Sequence, residues 1–193
     1  MRRSNVVIRA DASLEIGAGH IYRCMALAHA LQAAGASCAL CCRAPTLATV
    51  PALSRSGIKI LNLSGTANEP AEMRQLAGDC DLLIIDHYQW DEMLEQACRQ
   101  WAQSIMVIDD LANRRHDCDI LLDQTYKSVA ADYHKLVPSH AQLLLGTSYT
   151  LLRDEFRRER ERVLITPRGR DDTKRVTLAF GATDPHAITE RML

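Results

Sequence analysis

The sequence predicts an α/β fold built on a doubly wound parallel sheet. Short, continuously apolar runs recur along the first two thirds of the chain, and longer stretches with helical spacing of apolar residues separate them. Strands that are buried on both faces have such continuous apolar runs, and each parallel connection needs a helix that packs back onto the sheet. We therefore expect one sheet with helices on both faces.

Six apolar runs are predicted to be the strands of this sheet. Each is rich in Val, Ile, Leu or Cys, and polar or turn-forming residues follow most of them. In chain order they are NVVIRA (5–10), SCALCC (37–42), IKILNL (58–63), DLLIID (81–86), SIMVIDD (104–110) and DILLDQ (119–124).

The first helix is predicted from about His20, in the stretch HIYRCMALAHALQAAG. Gly35 is a typical C-terminal cap, because glycine adopts the left-handed conformation without steric cost. A second helical pattern, DEMLEQACRQW, covers residues 91–101. The apolar positions of the first helix recur at helical spacing and are Ile21, Cys24, Met25, Leu27, Ala28 and Leu31.

The domain organisation changes near residue 150. Residues 1–150 are the predicted N-terminal domain, and residues 151–174 are a highly charged helix followed by a polar connector with Pro and Gly. The charge run predicts a solvated helix face, with phosphate binding as the alternative. Residues 175–193 then begin a strand and helix again, which cannot bury their own faces. We expect them to start a truncated second domain, and the chain to be a fragment.

Composition and charge exclude several classes of function. With a net charge of −1, the chain lacks the concentrated positive field that nonspecific nucleic-acid or anionic-membrane binding requires. The N-terminal apolar run is too short for a signal peptide, and no segment approaches the roughly 20 apolar residues of a transmembrane helix. We expect a cytoplasmic monomer whose partner is a small polar molecule, with no nucleic acid and no membrane.

The seven cysteines are predicted to be reduced thiols in the core. Their number is odd, and the chain is too large to need a disulfide framework. Cys38 and Cys41 have the C-x-x-C spacing, but in a strand their thiols point to opposite faces. No second such pair follows to complete a zinc site, so no metal is expected.

The loop DASLEIGAGH follows the first strand, where open parallel sheets bind their ligands. Gly17 and Gly19 permit tight turning and close backbone approach, and the following helix N-terminus offers free N–H groups to an anion. Tyr22 stands where the third glycine of a G-x-G-x-x-G motif belongs, and no Walker lysine is present. A nicotinamide cofactor is therefore disfavoured, and we expect no cofactor.

His20 is the candidate base in this loop. The positive end of the helix dipole disfavours imidazolium, so a neutral ring is expected there that can accept a proton from water. The alternative is that His20 only caps the helix or packs under the loop. Arg9 and Arg23 are candidates for holding anionic groups, and the alternative for either is a surface ion pair with Asp11 or Glu15.

Polar residues also follow three later strands, and their carboxyl ends share one edge of a parallel sheet. They indicate a cleft along that edge. Asp109 and Asp110 are adjacent and point oppositely in a strand, so we assign both to structuring the loop. The three groups are Asp86, His87 and Tyr88; Asp109 and Asp110; and Asp123 and Gln124.

Several spaced motifs closely resemble the UDP-sugar hydrolases of pseudaminic acid biosynthesis. The resemblance extends over essentially all 193 residues. It implies a fold similar to the GT-B glycosyltransferases, with two Rossmann-like domains and a cleft between them. It also implies removal of UDP from UDP-2,4-diacetamido-2,4,6-trideoxy-β-L-altropyranose. The motifs are RADAS (9–13), IGAGH (16–20), Arg23-Cys24, Leu27-Ala28, DHYQWD (86–91), IDDLANRRHDCDILLDQ (108–124) and FGATDPHAIT (180–189).

The resemblance also implies roles for individual residues. His20 is the base that activates water for attack at the anomeric carbon, and Tyr88 positions the substrate or the water. The GATD segment, Gly181 to Asp184, approaches the diphosphate from the second domain, although Ala182 replaces a second glycine. Neither a metal ion nor a cofactor is implied. The residues that line the sugar side are Arg9, Asp11, Gly17 and Gly19.

Two alternatives to hydrolysis stay open. A glycosyltransferase of the same architecture would use a sugar hydroxyl in place of water. A noncatalytic, truncated sugar-binding domain is the other alternative, although an isolated apolar strand at its end would be an exposed edge.

Overall fold

The computed structural model describes residues 3–165, 176–179, 184 and 187–192. In these residues, neighbouring strands all pair in parallel and form one seven-stranded sheet. The strands are β1 (Asn5–Ala10), β2 (Ser37–Arg43), β3 (Lys59–Leu63), β4 (Cys80–Asp86), β5 (Ala102–Ile108), β6 (Ile120–Asp123) and β7 (Gln142–Leu145). Their order in the sheet is β3-β2-β1-β4-β5-β6-β7. The predicted parallel α/β fold is confirmed.

The six predicted strands are all present, and β7 is an additional strand that was not predicted. It is only 4 residues long and pairs with β6 at one edge of the sheet. In the described sheet β7 has a neighbouring strand on one side only, and its side chains are partly exposed. The run LLL of β7 is as long as the run ILL from which β6 was predicted, so the signal for this strand was present in the sequence.

Helices lie between the strands and after the sheet. Gly35 has φ of +97°, and the N–H groups of Gly35 and Ala36 donate to the carbonyls of Gln32 and Leu31, both at 2.9 Å. This Schellman arrangement confirms the predicted cap of the first helix. The helices are α1 (Gly19–Ala33), α2 (Pro45–Thr49), α3 (Glu69–Ala77), α4 (Glu92–Cys98), α5 (Asp154–Ile165) and α6 (Ile188–Met192).

Two apolar layers cover the two faces of the sheet. On one face, Ile8 and Ile84 pack with the buried side of α1. On the other face, Val7 and Leu83 belong to the layer that contains side chains of α3 and α4. Side chains of a strand alternate between faces, so this phase fixes where the polar residues at the strand ends point.

The seven cysteines are free and buried, as predicted. Cys38 belongs to the layer on the α1 face, and Cys41 belongs to the layer on the opposite face. The prediction that the two thiols point to opposite faces is therefore confirmed. Among the described residues, no group of three or more His, Cys, Asp or Glu side chains is arranged to hold a metal ion.

The charged segment after residue 150 contains the helix α5, which confirms that prediction. Asp154 forms ion pairs with Arg157 at 2.7 Å and with Arg158 at 2.6 Å, and all three side chains are exposed. These pairs lie on a solvated face, where each contributes little to stability. None of the described helices combines the length and apolarity that crossing a bilayer requires.

Of the strand and helix predicted within residues 175–193, the described residues form only the helix. Residues 176–179 are not in a strand, and α6 is a short helix. A strand needs a neighbour to satisfy its backbone groups, and the described part of the chain supplies none at this point. The assignment of residues 175–193 to a second domain remains a prediction.

Candidate functional site

A cavity of about 310 Å³ lies at the carboxyl edge of the sheet, beside the loop between β1 and α1. Its walls come from this loop and from the residues at the ends of β2 and β4. It therefore occupies the position at which open parallel sheets bind ligands. The lining residues are Asp11, Ala12, Ser13, Ile16, His20, Arg43, Pro45, Asp86, His87, Tyr88 and Gln89.

Gly17 provides the turn that brings the loop to α1. Its φ of +76° lies in the left-handed region, and its N–H donates to the carbonyl of Ser13 at 2.9 Å. Gly19 begins α1 with an ordinary φ, and a Cβ there would meet no atom within 4 Å. The turn therefore requires glycine at Gly17 but not at Gly19, and neither residue lines the cavity.

His20 and Asp86 form a buried pair at the floor of the cavity. The Asp86 side chain points to the same face of the sheet as Ile84, the face against which α1 packs. Its Oδ1 lies 2.6 Å from His20 Nδ1. Burial alone would raise the pKa of Asp86, but hydrogen bonds from Arg23 and His20 outweigh it and lower that pKa. The ionised carboxylate accepts the Nδ1–H, and Nε2 then carries the lone pair that can accept a proton.

Arg23 holds Asp86 from the side opposite His20. Its Nε and Nη2 donate to the two carboxylate oxygens, both at 2.6 Å, and its Nη1 donates to Asp110 at 3.0 Å. The side chain is 11% exposed and does not line the cavity. Its ion-pair partners are therefore Asp86 and Asp110, and the alternative of a surface ion pair with Asp11 or Glu15 is wrong for Arg23.

Tyr88 covers one side of His20. The two rings meet edge to face with centroids 4.6 Å apart, and the Tyr88 hydroxyl donates to Asp110 Oδ1 at 3.0 Å. Burial and the Asp110 carboxylate raise the pKa of Tyr88 to about 12, so the phenol stays neutral. The phenol remains 41% exposed and lines the cavity, and its role in positioning a substrate or water stays a prediction.

The two adjacent aspartates after β5 have different roles. Asp109 Oδ2 accepts the backbone N–H groups of Leu111 and Ala112, at 3.3 and 2.8 Å, which confirms that it structures the loop. Asp110 instead contacts Arg23 and Tyr88. The assignment of Asp110 to loop structure was wrong, because its side chain lies beside Arg23 of α1 and Tyr88 after β4 and bonds to both.

Asp11, His87 and Arg43 form the opposite wall of the cavity. His87 Nδ1 accepts the N–H of Gln89 at 3.2 Å, so the proton lies on Nε2, which is 3.4 Å from Asp11 Oδ2. The Arg43 N–H donates to Asp11 Oδ1 at 2.7 Å. Burial alone would raise the pKa of Asp11, but hydrogen bonds from His87 and Arg9 hold that pKa well below its ordinary range.

Asp86 and His87 were placed in the cleft at the strand ends without a role of their own, and Arg43 was not predicted to be part of the site. His87 was placed at a strand end, and its position directly after Asp86 was the available signal. Arg43 ends the apolar run of β2 and is the only described Lys or Arg among the lining residues. A basic residue that ends a buried parallel strand was the signal for it.

Arg9 does not reach the cavity in this structure. It continues the side of β1 that faces α3, and its side chain is 0% exposed. The guanidinium donates to Asp11 and to Glu69, and Glu69 also accepts the indole N–H of Trp90 at 3.0 Å. The prediction that Arg9 contacts an anionic ligand is therefore corrected. Arg9 is buried in ion pairs with Asp11 and Glu69, and it positions the Asp11 carboxylate.

The two predicted diphosphate contacts lie in the C-terminal segment. Gly181 is outside the described residues. Asp184 accepts the N–H groups of Ile188 and Thr189, both at 2.9 Å, and so caps the start of α6. Contact of either residue with a diphosphate stays a prediction.

The polar residues at the end of β6 also have structural roles. Asp123 accepts the hydroxyl of buried Tyr133 at 3.0 Å and the N–H of Thr125 at 2.9 Å. Gln124 accepts the N–H of Leu151 at 2.9 Å. These residues hold the loop around the sheet edge, and neither lines the cavity beside His20.

Comparisons with known proteins relate the chain to a nucleotide-sugar hydrolase. No protein-family model matches the sequence. The chain is 32% identical over 157 residues to the UDP-2,4-diacetamido-2,4,6-trideoxy-β-L-altropyranose hydrolase of Campylobacter jejuni, covering 80% of this chain and 54% of that protein. It is 22% identical over 190 residues to the uncharacterized protein MJ1062 of Methanocaldococcus jannaschii, covering 97% of this chain and 39% of that protein.

The solved structures include a distant match. A 2R,3R-butanediol dehydrogenase from Bacillus subtilis aligns with a TM-score of 0.38 and 13% identity, over 83% of this chain and 39% of that one. The chain spans about half the length of the curated hydrolase it matches, and less of the archaeal protein. Over four fifths of its own residues, the chain is related in sequence to the Campylobacter hydrolase.

Proposed function

We propose that the protein hydrolyses a UDP-activated diacetamido-trideoxy sugar, in pseudaminic acid biosynthesis, releasing UDP and the free sugar. The observation that carries the proposal is the His20–Asp86 pair at the floor of the cavity, 2.6 Å apart. The similarity to the Campylobacter hydrolase supports the choice of substrate class. No cofactor is part of this proposal.

In the proposed reaction, His20 is the general base. Its Nε2 takes a proton from a water molecule while the water oxygen bonds to the anomeric carbon. The bond between that carbon and the phosphate oxygen breaks, and its electron pair leaves with UDP. Asp86 holds the ring by its Nδ1–H and stabilises the imidazolium that forms, which is the role of the acidic partner in His–Asp pairs generally.

The walls of the cavity support binding of a small sugar. Ala12, Ile16, Pro45 and the ring of Tyr88 offer apolar surface to the methyl groups of a deoxy, acetamido sugar. Arg43 offers hydrogen-bond donors to its polar groups. A volume of about 310 Å³ is at the lower end of ligand pockets, which suits a monosaccharide unit. The proposed contacts to the diphosphate remain Gly181 and Asp184.

The test is the release of UDP by the full chain that the gene encodes, with and without His20. We expect His20→Ala to lower the rate at least about 100-fold, the range of general base catalysis. His29→Ala is the matched control, because His29 lies on the same helix outside the cavity and donates to the carbonyl of Ser56 at 3.0 Å. Circular dichroism establishes that both variants are folded.

Two results would contradict the proposal. Undiminished UDP release by His20→Ala would exclude His20 as the base. UDP release that occurs only after a sugar acceptor is added would identify a glycosyltransferase in place of a hydrolase. Detection of free sugar without any added acceptor is the result that we expect.

A further inference from the structure

Asp86 is shared between two basic groups. Its Oδ1 lies 2.6 Å from His20 Nδ1 and 2.6 Å from Arg23 Nη2. Arg23 Nη2 also lies 3.2 Å from His20 Nδ1. When the Nδ1–H of His20 donates its hydrogen bond to Asp86, Nδ1 and Arg23 Nη2 are both donors, so they share no hydrogen bond. The contact instead places a permanent positive charge beside the imidazole.

A second carboxylate competes for the same guanidinium. Asp110 Oδ2 accepts Arg23 Nη1 at 3.0 Å, and Asp110 Oδ1 accepts the Tyr88 hydroxyl at 3.0 Å. The Arg23 and Asp110 side chains are only 11% and 19% exposed, so water screens their charges weakly. One guanidinium therefore stands between two carboxylates within contact distance of His20.

We propose that Arg23 and Asp110 form a tuning pair that sets the basicity of His20 by controlling how much of the Asp86 charge acts on it. The proposal rests on the proposed function, in which His20 is the base. Arg23 opposes protonation of the ring, since it neutralises Asp86 and adds its own positive charge nearby. Asp110 favours protonation because it draws on the Arg23 charge. Both act as positioning residues, through Asp86 and Tyr88.

The charges of Asp86, Arg23 and Asp110 dominate the electrostatic environment of His20. Cys24 and Tyr88 stay neutral, because burial raises the pKa of both. On the far wall, Asp11 and Arg43 carry opposite charges, with Arg43 Nε 4.0 Å from Asp11 Oδ2. The charged and titratable groups facing His20 from every element around it are Arg23 and Cys24 on α1, Asp86 on β4, His87 and Tyr88 after β4, Asp11 after β1, Arg43 on β2 and Asp110 after β5.

Substitutions of Arg23 and of Asp110 are expected to shift the midpoint of the His20 titration in opposite directions. Arg23→Gln removes the positive charge and should raise the midpoint pH of the His20 titration by about one unit, and Asp110→Asn should lower it by about half a unit. The matched controls are Arg74→Gln and Asp79→Asn, which make the same charge changes in an exposed pair 3.2 Å apart. That pair lies at the opposite edge of the sheet, about 20 Å away along β4, beyond the Debye length. Shifts below about 0.2 units are expected there.

The experiment is an NMR titration of the histidine Cε1–H signals in the full chain, with the His20 signal assigned by its loss in His20→Gln. Opposite shifts in Arg23→Gln and Asp110→Asn, larger than in the controls, support the tuning pair. Equal signs, or shifts no larger than the controls, overturn it. Where Arg23→Gln fails to fold, Asp110→Asn decides alone, because it leaves the two hydrogen bonds from Arg23 to Asp86 in place.

A second variant separates charge from structure. Arg23→Lys keeps the positive charge but loses the paired hydrogen bonds, so it should return the titration midpoint to within about 0.3 units of the parent protein. A midpoint like that of Arg23→Gln would mean that packing, and not charge, is responsible. The acid limb of kcat/KM should move with the NMR midpoint in every active variant.

The test distinguishes the tuning pair from the proposed function. If the titration midpoints shift as expected but His20→Ala keeps full UDP release, the tuning pair stands and His20 is not the base. If His20→Ala loses UDP release but the midpoints do not shift, the proposed function stands and the tuning pair is wrong.

Discussion

The rings of His20 and Tyr88 meet edge to face, with an interplanar angle of 83° and 4.6 Å between their centroids. Each ring also donates a hydrogen bond to a carboxylate, His20 to Asp86 and Tyr88 to Asp110. Arg23 contacts both carboxylates and so closes a ring of five side chains. Such mutual support fixes the imidazole in one orientation before a substrate arrives.

Replacement of Asp86 by Asn tests the buried pair. Asn cannot stabilise an imidazolium by charge, and its amide group can force the wrong tautomer on His20. We expect Asp86→Asn to lower kcat/KM for UDP release at least about 100-fold. Asp79→Asn, directly before the opposite end of β4, is the control and should keep full activity. An active Asp86→Asn protein would show that His20 needs no acidic partner.

Tyr88 separates the contribution of a ring from that of a hydroxyl. Tyr88→Phe keeps the contact with His20 but loses the bond to Asp110, so a loss of about fivefold in kcat/KM is expected. Tyr88→Ala also removes the ring and should cost about 50-fold or more. Tyr149→Phe, outside the cavity, serves as the control. Equal losses in both Tyr88 variants would assign the whole effect to the hydroxyl.

Arg9 is expected to act on stability. Arg9→Met leaves Asp11 and Glu69 without the guanidinium that pairs with both. We expect the free energy of unfolding in urea to fall by about 3–5 kcal/mol, the cost of breaking a buried ion pair. Arg74→Met breaks an exposed pair and should cost less than about 1 kcal/mol. Similar losses in the two variants would contradict the buried role of Arg9.

The cysteines provide a test of the core. Burial raises the pKa of Cys41, Cys80, Cys98 and Cys118 to about 12, so few thiolates form at pH 8. We expect a disulfide reagent to label the folded chain at least about 100-fold more slowly than a free thiol. After unfolding in guanidinium, all seven should react. Rapid labelling of the folded chain would show that at least one thiol is accessible.

The sequence predicts the order of strands and helices well, because continuous apolar runs and helical spacing are local signals. It also places His20, Asp86 and Tyr88 at one edge of the sheet, since parallel strands all end there. Their mutual contacts could not be predicted, because they depend on which strand neighbours which. In the structure β4 pairs with β1, and Asp86 is then beside the helix that follows β1.

Arg9 and Asp86 illustrate what strand ends leave undetermined. Both follow apolar runs, and both were placed at the same edge. The face to which each side chain points depends on the phase of its strand, and a shift of one residue reverses it. Arg9 points to the α3 side with Val7, and Asp86 points to the α1 side with Ile84. A continuous apolar run contains no alternation from which this phase can be read.

Two polar clusters lie on opposite faces of the sheet. On its α1 side, the carboxylate of Asp86 serves the imidazole, and on its α3 side Glu69 holds Arg9 and Trp90. The two clusters are not independent, because Glu69 also accepts Arg43 Nη2 at 2.7 Å and Arg9 donates to Asp11, and both Arg43 and Asp11 line the cavity. Clusters that share partners do not contribute additively to free energy, so a substitution of Glu69 made for stability is expected to alter the cavity wall as well.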